Sequence, residues 1–276
     1  MHDAELLVVH AVPTDRPFKW HARERIALIG ALRHAAEAAG VRFKVSVQHG
    51  DPAGVILLHA NSRQADLIVL GSIKRSGFDR FRFGSVAETV AREATQPVLV
   101  VPAAAGKVAD FITPFKSILV AVDFGEGASK AVERALSMAS GDSRVTVVHV
   151  IRGVPFEQSY RYPYRLMEPE YQRNLARSAW RRMRSIVPAD ATTGRKVHTR
   201  VVTGEPTAEI SRVAAEVGAD LILVGVTARG PLGRLIMGST AARVIRSAGR
   251  PVLAIPQPSK LAMVPVSDED QFAVAA

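Results

Sequence analysis

Short apolar runs alternate along most of the chain with longer segments in which apolar residues recur at helical spacing. A short apolar run is typical of a buried parallel strand, and the longer segments predict amphipathic helices. In the second half, the predicted strands cover residues 117–122, 145–150, 197–202, 220–225 and 251–255. The predicted helices cover residues 127–140, 169–186, 206–217 and 239–248. Strands that alternate with helices predict a doubly wound α/β fold with a parallel sheet.

The sequence repeats itself at a fixed distance. Gln96–Pro102 returns as Arg250–Pro256, and Ala65–Gly71 returns as Ala219–Gly225. The spacing of 154 residues is shared by two shorter matches, Gly50-Asp51-Pro52 with Gly204-Glu205-Pro206 and Gly84-Ser85 with Gly238-Ser239. A constant offset over this many landmarks indicates a tandem duplication.

The first copy lacks the strand and helix that open the second copy. Residues 6–12 align with the second strand of the second copy, and nothing ahead of them corresponds to residues 117–141. The later elements are predicted as helices 20–39, 52–63 and 85–95 and strands 41–48, 66–71 and 97–101. Because the missing strand lies at the centre of a doubly wound sheet, we expect a structural cost. A truncated coding start, which we favour, and a degenerate first domain both stay open as explanations.

The length of 276 residues suits two domains. The sequence predicts an N-terminal domain over residues 1–104, a linker over 105–116, a C-terminal domain over 117–258 and a disordered tail over 259–276. The absence of cysteine excludes disulfides, thiolate nucleophiles and thiolate zinc sites. No apolar run reaches membrane-helix length, and the N-terminus lacks the basic region of a secretory signal. We therefore expect a cytoplasmic protein that has no membrane partner.

The net charge of +10 is concentrated in one segment. Residues 151–200 contain 11 basic and 4 acidic side chains and so supply +7 of the total. The excess centres on the arginines at positions 173, 177, 181, 182 and 184. A solvated helix face and a polyanion-binding surface both explain this pattern. Since the chain has no aromatic RNA-binding strand and no zinc finger, we do not expect a nucleic acid partner.

A glycine-rich connection follows the fourth strand of the second copy. Gly225 allows a tight exit at the carboxyl end of the strand, where open α/β sheets bind ligands. Gly238 and Ser239 open a helix whose free N–H groups and positive dipole end attract phosphate. The Ser239 hydroxyl could cap that helix or contact a phosphate oxygen. An ordinary loop with a serine cap is the alternative.

With these features the chain resembles a tandem universal stress protein. The nucleotide-binding members of that family carry Gly-x2-Gly-x9-Gly-Ser/Thr after the fourth strand, and this chain has Gly225-x2-Ala228-x9-Gly238-Ser239. The first copy has Lys74 at the position of Ala228. The resemblance also rests on the aspartate that ends the first strand, the His-Val pair that ends the second strand, and the Pro-Val-Leu start of the final strand. It covers residues 6 to 256.

The resemblance implies two tandem Rossmann-like domains of the adenine-nucleotide alpha-hydrolase-like type, with helices on both faces of each sheet. It implies ATP as the ligand, with or without Mg²⁺, and one competent site at most, in the second copy. Asp123 would lie against the ribose or adenine, and the Val150 main chain would face the base. The ribose and phosphates would be held by Gly225, Ala228, Arg229, Gly238, Ser239 and Thr240. No catalytic residue and no resident metal site is expected.

The function that follows from this resemblance is ATP-binding stress adaptation, as an adaptor or switch with little or no turnover. The two domains would form an internal pseudo-dimer or a homo-oligomer, with the final strands 97–101 and 251–255 paired edge to edge, and would act on a protein partner not identified by the sequence. Two alternatives stay open. A scaffold that binds no nucleotide is favoured by Ala228 and Lys74, and a slow ATPase or phosphotransferase would depend on Asp123.

The second copy also carries 15 extra residues after its second strand, among them Tyr160–Arg165. A lid over the nucleotide and a surface excursion are both compatible with this insertion.

Overall fold

The computed structural model describes residues 4–17, 22–71, 84–102, 115–125, 127–152, 169–188, 196–227 and 238–257. The chain divides into two compact units, residues 1–104 and residues 105–276. The predicted tail 259–276, the first ten residues of the predicted linker 105–116 and the insertion at Tyr160–Arg165 lie outside the described residues. None of the helices among the described residues is both long and apolar enough to cross a membrane.

The first unit contains four strands and three helices among its described residues. In chain order these are β1 (Glu5–Val12), α1 (Ala22–Ala38), β2 (Arg42–His49), α2 (Pro52–Ser62), β3 (Ile68–Gly71), α3 (Ser85–Glu93) and β4 (Val98–Val101). The described part of the second unit continues with β5 (Ser117–Val122), α4 (Ala128–Met138), β6 (Arg144–Arg152), α5 (Pro169–Ile186), β7 (Lys196–Gly204), α6 (Pro206–Glu216), β8 (Leu221–Thr227), α7 (Ser239–Ser247) and β9 (Val252–Gln257).

The second unit is a parallel sheet with the strand order β9-β8-β5-β6-β7. Helix α4 packs against α5, and α6 packs against α7. Because right-handed crossovers on either side of β5 place these two helix pairs on opposite faces, the sheet is covered on both sides. The predicted α/β fold is confirmed.

The centre of the second unit is built by β5 and β8. Ile118, Leu119 and Val120 of β5 are completely buried, as are Leu221 and Leu223 of β8. Burying a side chain of this size stabilises the fold by about 1.5–3 kcal/mol. These strands read as continuous apolar runs because both of their faces are covered by helices.

Strands β6 and β7 extend beyond their predicted ends. The sequence predicts residues 145–150 and 197–202, whereas the two strands pair over nine positions, from Arg144 with Lys196 to Arg152 with Gly204. Apart from Ile151, the added residues are polar or glycine, so the apolar pattern gave no signal for them. They belong to the strands because the parallel ladder continues through their backbone groups.

Local capping residues set the ends of α6, which the sequence predicts over residues 206–217. Pro206 is the first helical residue, where its missing N–H removes no helical hydrogen bond. The Glu205 side chain accepts a hydrogen bond from the Ala208 N–H at 2.7 Å. Gly218, with φ of +59°, follows the last turn in the left-handed conformation that glycine adopts readily. These residues define both ends of α6, whose N-terminus directly follows the carboxyl end of β7.

The first unit does not form the same continuous sheet. Strand β1 pairs with β2, and β3 pairs with β4, both in parallel. In the second unit, the counterparts of β1 and β3 are β6 and β8, and β5 lies between them. Within the described residues of the first unit no strand takes the place of β5, as the sequence predicts. Its sheet is therefore two separate strand pairs.

Candidate functional site

A cavity of about 340 Å³ lies at the carboxyl edge of the second sheet. It opens at the end of β5. Strands β6 and β7 follow β5 on one side of the sheet and β8 and β9 on the other, so the strand order reverses at this point. Ligands of open α/β sheets bind at this switch point. The cavity is lined by Ala121, Val122, Asp123, Ala128, Ala131, Val148, His149, Val150, Arg152, Pro206, Ile210, Val224, Gly225, Gly238, Ser239, Thr240 and Ala241.

Six of the eight predicted binding residues line this one cavity. They are Asp123, Val150, Gly225, Gly238, Ser239 and Thr240. The other two, Ala228 and Arg229, lie outside the described residues, as does Lys74 of the first copy. The structure thus brings together residues that are up to 117 positions apart in the sequence. Their individual roles toward a nucleotide stay predictions.

The N-terminus of α7 forms one wall of the cavity. Gly238 is the N-cap residue, and no side chain caps this end of the helix. The first helical backbone bond runs from the Ala242 N–H to the Gly238 carbonyl at 3.1 Å. The N–H groups of Ser239, Thr240 and Ala241 are therefore not used within the helix. Together with the helix dipole, they make this wall attractive to an anion.

Asp123 is fixed by a tight turn directly after β5. Its Oδ1 accepts a hydrogen bond from the Gly125 N–H at 2.8 Å. Phe124, between them, has φ of +60°, in the left-handed region that is unfavourable for a bulky residue. Such a conformation costs about 1–3 kcal/mol and persists only where the surroundings enforce it.

Two side chains hold Phe124 in that conformation. Its ring lies 4.1 Å from the His149 ring, centroid to centroid. The guanidinium of Arg182 in α5 lies 4.7 Å from the centre of the Phe124 ring. Its Nη2 donates a hydrogen bond to the Phe124 carbonyl at 3.0 Å. The cation–π contact and the hydrogen bond from Arg182 together stabilise the turn that follows β5. Sequence reasoning missed this contact because Arg182 is 58 residues from Phe124.

His149 joins β6 to β5 at the floor of the cavity. Its Nδ1 lies 2.9 Å from the Val122 carbonyl oxygen, the acceptor of this hydrogen bond when Nδ1 carries the proton. Burial lowers the pKa of His149, so the ring is neutral at neutral pH. His149 and His10 occupy the same repeat position, which favours a structural role, and the hydrogen bond from His149 to β5 is consistent with that role.

Arg152 also lines the cavity, although the sequence did not predict it as a binding residue. It is the last residue of β6, and its Nη2 donates to the Thr240 Oγ1 at 3.3 Å. Its position two residues after Val150, and thus on the same face of the strand, was the signal available in the sequence. With His149 neutral, Asp123 and Arg152 are the charged groups among the described lining residues.

The described residues contain no group of three or more His, Asp or Glu side chains placed to hold a metal ion. Asp123 is the one carboxylate among the described lining residues of the cavity. A metal bound with a nucleotide would thus take its ligands largely from phosphate and water, as Mg²⁺ commonly does.

The first unit keeps part of this arrangement. Gly84 is the N-cap of α3 and, as at Gly238, no side chain caps the helix. The position of Arg152 is occupied by Pro13, and that of Thr240 by Val86. The strand that would carry an aspartate equivalent to Asp123 is not among the described elements of this unit.

The family model described as the universal stress protein family matches residues 1–102 and again residues 114–256. A universal stress protein of Mycobacterium tuberculosis is 26% identical over 276 residues, which covers 93% of this chain and 89% of the relative. A universal stress protein of Methanocaldococcus jannaschii is 30% identical over 152 residues, or 53% of this chain and 85% of the relative.

The crystal structure of a universal stress protein from Archaeoglobus fulgidus superimposes with a TM-score of 0.67 at 22% identity, covering 92% of this chain and 88% of that one. This similarity supports the fold along both halves of the chain. The two family matches, one in each unit, confirm the resemblance seen in the sequence. The chain belongs to the universal stress protein family, with one family unit in each half.

Proposed function

We propose that the second unit binds ATP, with or without Mg²⁺, and that the protein is a stress-response adaptor or switch with little or no turnover. The observation that carries this proposal is the convergence of Asp123, Val150 and the open N-terminus of α7 on one cavity. The family's nucleotide-binding members use these motif positions. The volume of about 340 Å³ lies within the range of about 300–1,000 Å³ usual for small-molecule pockets.

Each wall of the cavity suits a different part of the nucleotide. The Asp123 carboxylate accepts hydrogen bonds, which suits ribose hydroxyls or the adenine amino group. The backbone of Val150 offers a hydrogen-bonding edge for the base. The N-terminus of α7 suits the phosphates, with Ala228 and Arg229 of the preceding loop as further proposed contacts.

The proposal of little turnover rests on Asp123. Hydrolysis needs a group that positions or deprotonates the attacking water. Asp123 is the one carboxylate among the described lining residues, and one of its oxygens already accepts from the Gly125 N–H. This favours a binding protein over an ATPase.

Calorimetry with Mg-ATP tests the binding, with Gly238→Asp as the disruptive variant. A Cβ added at Gly238 meets no other atom within 4 Å, so the variant places a carboxylate at the anion wall without a steric clash. Gly84→Asp is the matched control, since Gly84 occupies the same repeat position and is equally open. We expect micromolar binding at one site per chain, lost in Gly238→Asp and kept in Gly84→Asp.

Absence of binding up to millimolar ATP would instead favour a scaffold that acts without nucleotide. Phosphate release from wild type and Asp123→Asn tests the enzymatic alternative. Turnover that is lost in Asp123→Asn while ATP binding is kept would replace the switch by a slow ATPase or phosphotransferase.

A further inference from the structure

The end of β6 carries a cation into the proposed nucleotide site. Arg152 lines the cavity, and its guanidinium reaches from β6 to the first turn of α7, where Nη2 lies 3.3 Å from the Thr240 Oγ1. This hydrogen bond is long and uses one of the five N–H donors of the guanidinium. The group is therefore positioned at α7 with donors left for another acceptor.

No carboxylate among the described residues neutralises Arg152. The ion pairs of the second unit in its described part join arginines 200, 212 and 243 to glutamates on α6 or at its N-cap. Asp123, the other charged lining residue, is held by the turn after β5. The α7 side of the cavity thus combines a guanidinium with the unused N–H groups of a helix N-terminus, and both favour an anion.

This combination is confined to the second unit. At the corresponding positions of the first unit, Pro13 replaces Arg152 and Val86 replaces Thr240, so neither the cation nor its hydroxyl partner is kept. The two helix N-termini, by contrast, keep the same Gly-Ser pair. The open Gly-Ser helix N-terminus is therefore common to both units, whereas the contact between Arg152 and Thr240 is specific to the second.

We propose that Arg152 is a specificity residue that binds the phosphates of an adenine nucleotide and so makes the second unit prefer ATP to AMP and adenosine. This inference rests on the proposed function, since it assigns a phosphate contact in the same site. A guanidinium binds two phosphate oxygens in a planar, bidentate geometry that lysine cannot reproduce. With the base at Asp123 and Val150, affinity would rise from adenosine to AMP to ATP as phosphate charge accumulates between Arg152 and α7.

Titration of ATP, AMP and adenosine against wild type and Arg152→Gln tests the assignment. We expect the Kd for ATP to rise about 10- to 100-fold in Arg152→Gln, the range for loss of a charge-assisted hydrogen bond, while the Kd for adenosine changes less than about threefold. Arg152→Lys should recover part of the ATP affinity. Arg144→Gln, at the exposed opposite end of β6, is the matched control and should bind all three ligands as wild type does.

The outcomes separate the two proposals. If wild type binds none of the three ligands, both the nucleotide site and the role of Arg152 are wrong. If wild type binds ATP but Arg152→Gln binds it equally well, or loses ATP and adenosine by the same factor, the nucleotide site stands and the phosphate role of Arg152 is wrong. Equal thermal unfolding of Arg152→Gln and Arg144→Gln would show that a change in ATP affinity does not come from misfolding.

Discussion

The strands β1 and β6 occupy the same position in the two copies but have different neighbours. Strand β6 lies between β5 and β7, whereas β1 pairs with β2 alone in the described part of the first unit. Val147 and Val148 of β6 are buried, while the corresponding Val8 and Val9 of β1 are partly exposed. The apolar pattern is nearly the same in both strands, so the difference in burial follows from β5 and α4, which have no counterpart in the described first unit.

The pair β3 and β8 shows the same effect more strongly. Leu223 of β8 is completely buried, and Val69, at the same repeat position in β3, is 58% exposed. Leu221 and Leu67 differ in the same direction, at 0% and 42%. A duplicated sequence therefore encodes two strands of similar apolar character. The strand beside β5 is buried on both faces, whereas β3 buries Ile68 and leaves Val69 exposed.

The largest expected difference in the free energy of unfolding is between Leu223→Ala and Val69→Ala. Leu223→Ala should lower the free energy of unfolding of the second unit by about 2–5 kcal/mol, because it removes buried contacts and leaves a cavity. Val69→Ala should cost the first unit less than about 0.5 kcal/mol, as is usual for an exposed position. Urea unfolding followed by hydrogen-exchange mass spectrometry reports each unit separately. Equal losses in the two units would show that Val69 is buried in solution.

A smaller effect is expected where β8 is tied to β5. The Asp220 carboxylate accepts from the Lys116 N–H at 2.7 Å and from the Ser117 N–H at 3.1 Å. Asp220→Ala should therefore destabilise the second unit by about 1–2 kcal/mol, a modest value because the site is partly exposed. Asp66→Ala, at the same repeat position, should be close to neutral since the described first unit offers no strand start of this kind. The same unfolding measurement compares them, and a near-neutral Asp220→Ala would contradict this role.

The smallest expected effect concerns His10 of β1 and His149 of β6, which occupy equivalent positions near the C-terminal ends of these strands. Burial lowers the pKa of both His10 and His149 below the usual value of 6.5. The unfolded chain therefore takes up a proton first, and each unit should lose stability as the pH falls below about 6.5. His149→Gln should flatten this pH dependence in the second unit only, and His10→Gln in the first unit only. Unfolding midpoints between pH 5 and 8 measure it, and an unchanged slope in both variants would contradict the assignment.

The two histidines also differ in their contacts. His149 is hydrogen-bonded to the Val122 carbonyl of β5, whereas the buried Nε2 of His10 has no partner among the described residues. The acceptor that serves His149 belongs to the strand that has no counterpart in the described first unit. The Nδ1 hydrogen bond that ties His149 to β5 therefore has no counterpart in the described part of the first unit.

The strands, helices and parallel sheet of the second unit could be predicted from the sequence because two kinds of signal mark them: local apolar patterns and the internal repeat. Apolar runs marked β5 and β8, and the offset of 154 residues aligned the copies. The sequence also named six residues that line the cavity, since these follow strand ends or open α7 and are covered by the family resemblance.

The contacts that hold the cavity walls could not be predicted in the same way. Arg182 supports the turn at Phe124 from a helix 58 residues away, and Arg152 meets Thr240 across 88 residues. Both arginines lie in the basic segment 151–200. Because that segment contains many arginines, residue type alone does not distinguish the ones that contact the site. Only the packing of α5 and the sheet register show which arginine points toward the cavity.

The interrupted sheet of the first unit has a practical consequence for handling the protein in pieces. Within the described residues, β1 and β3 each leave one edge without a partner strand, and unpaired strand edges with apolar side chains such as Val69 promote self-association. Expressed alone, residues 1–104 should therefore aggregate more readily than residues 105–276, whose β5 is paired on both sides.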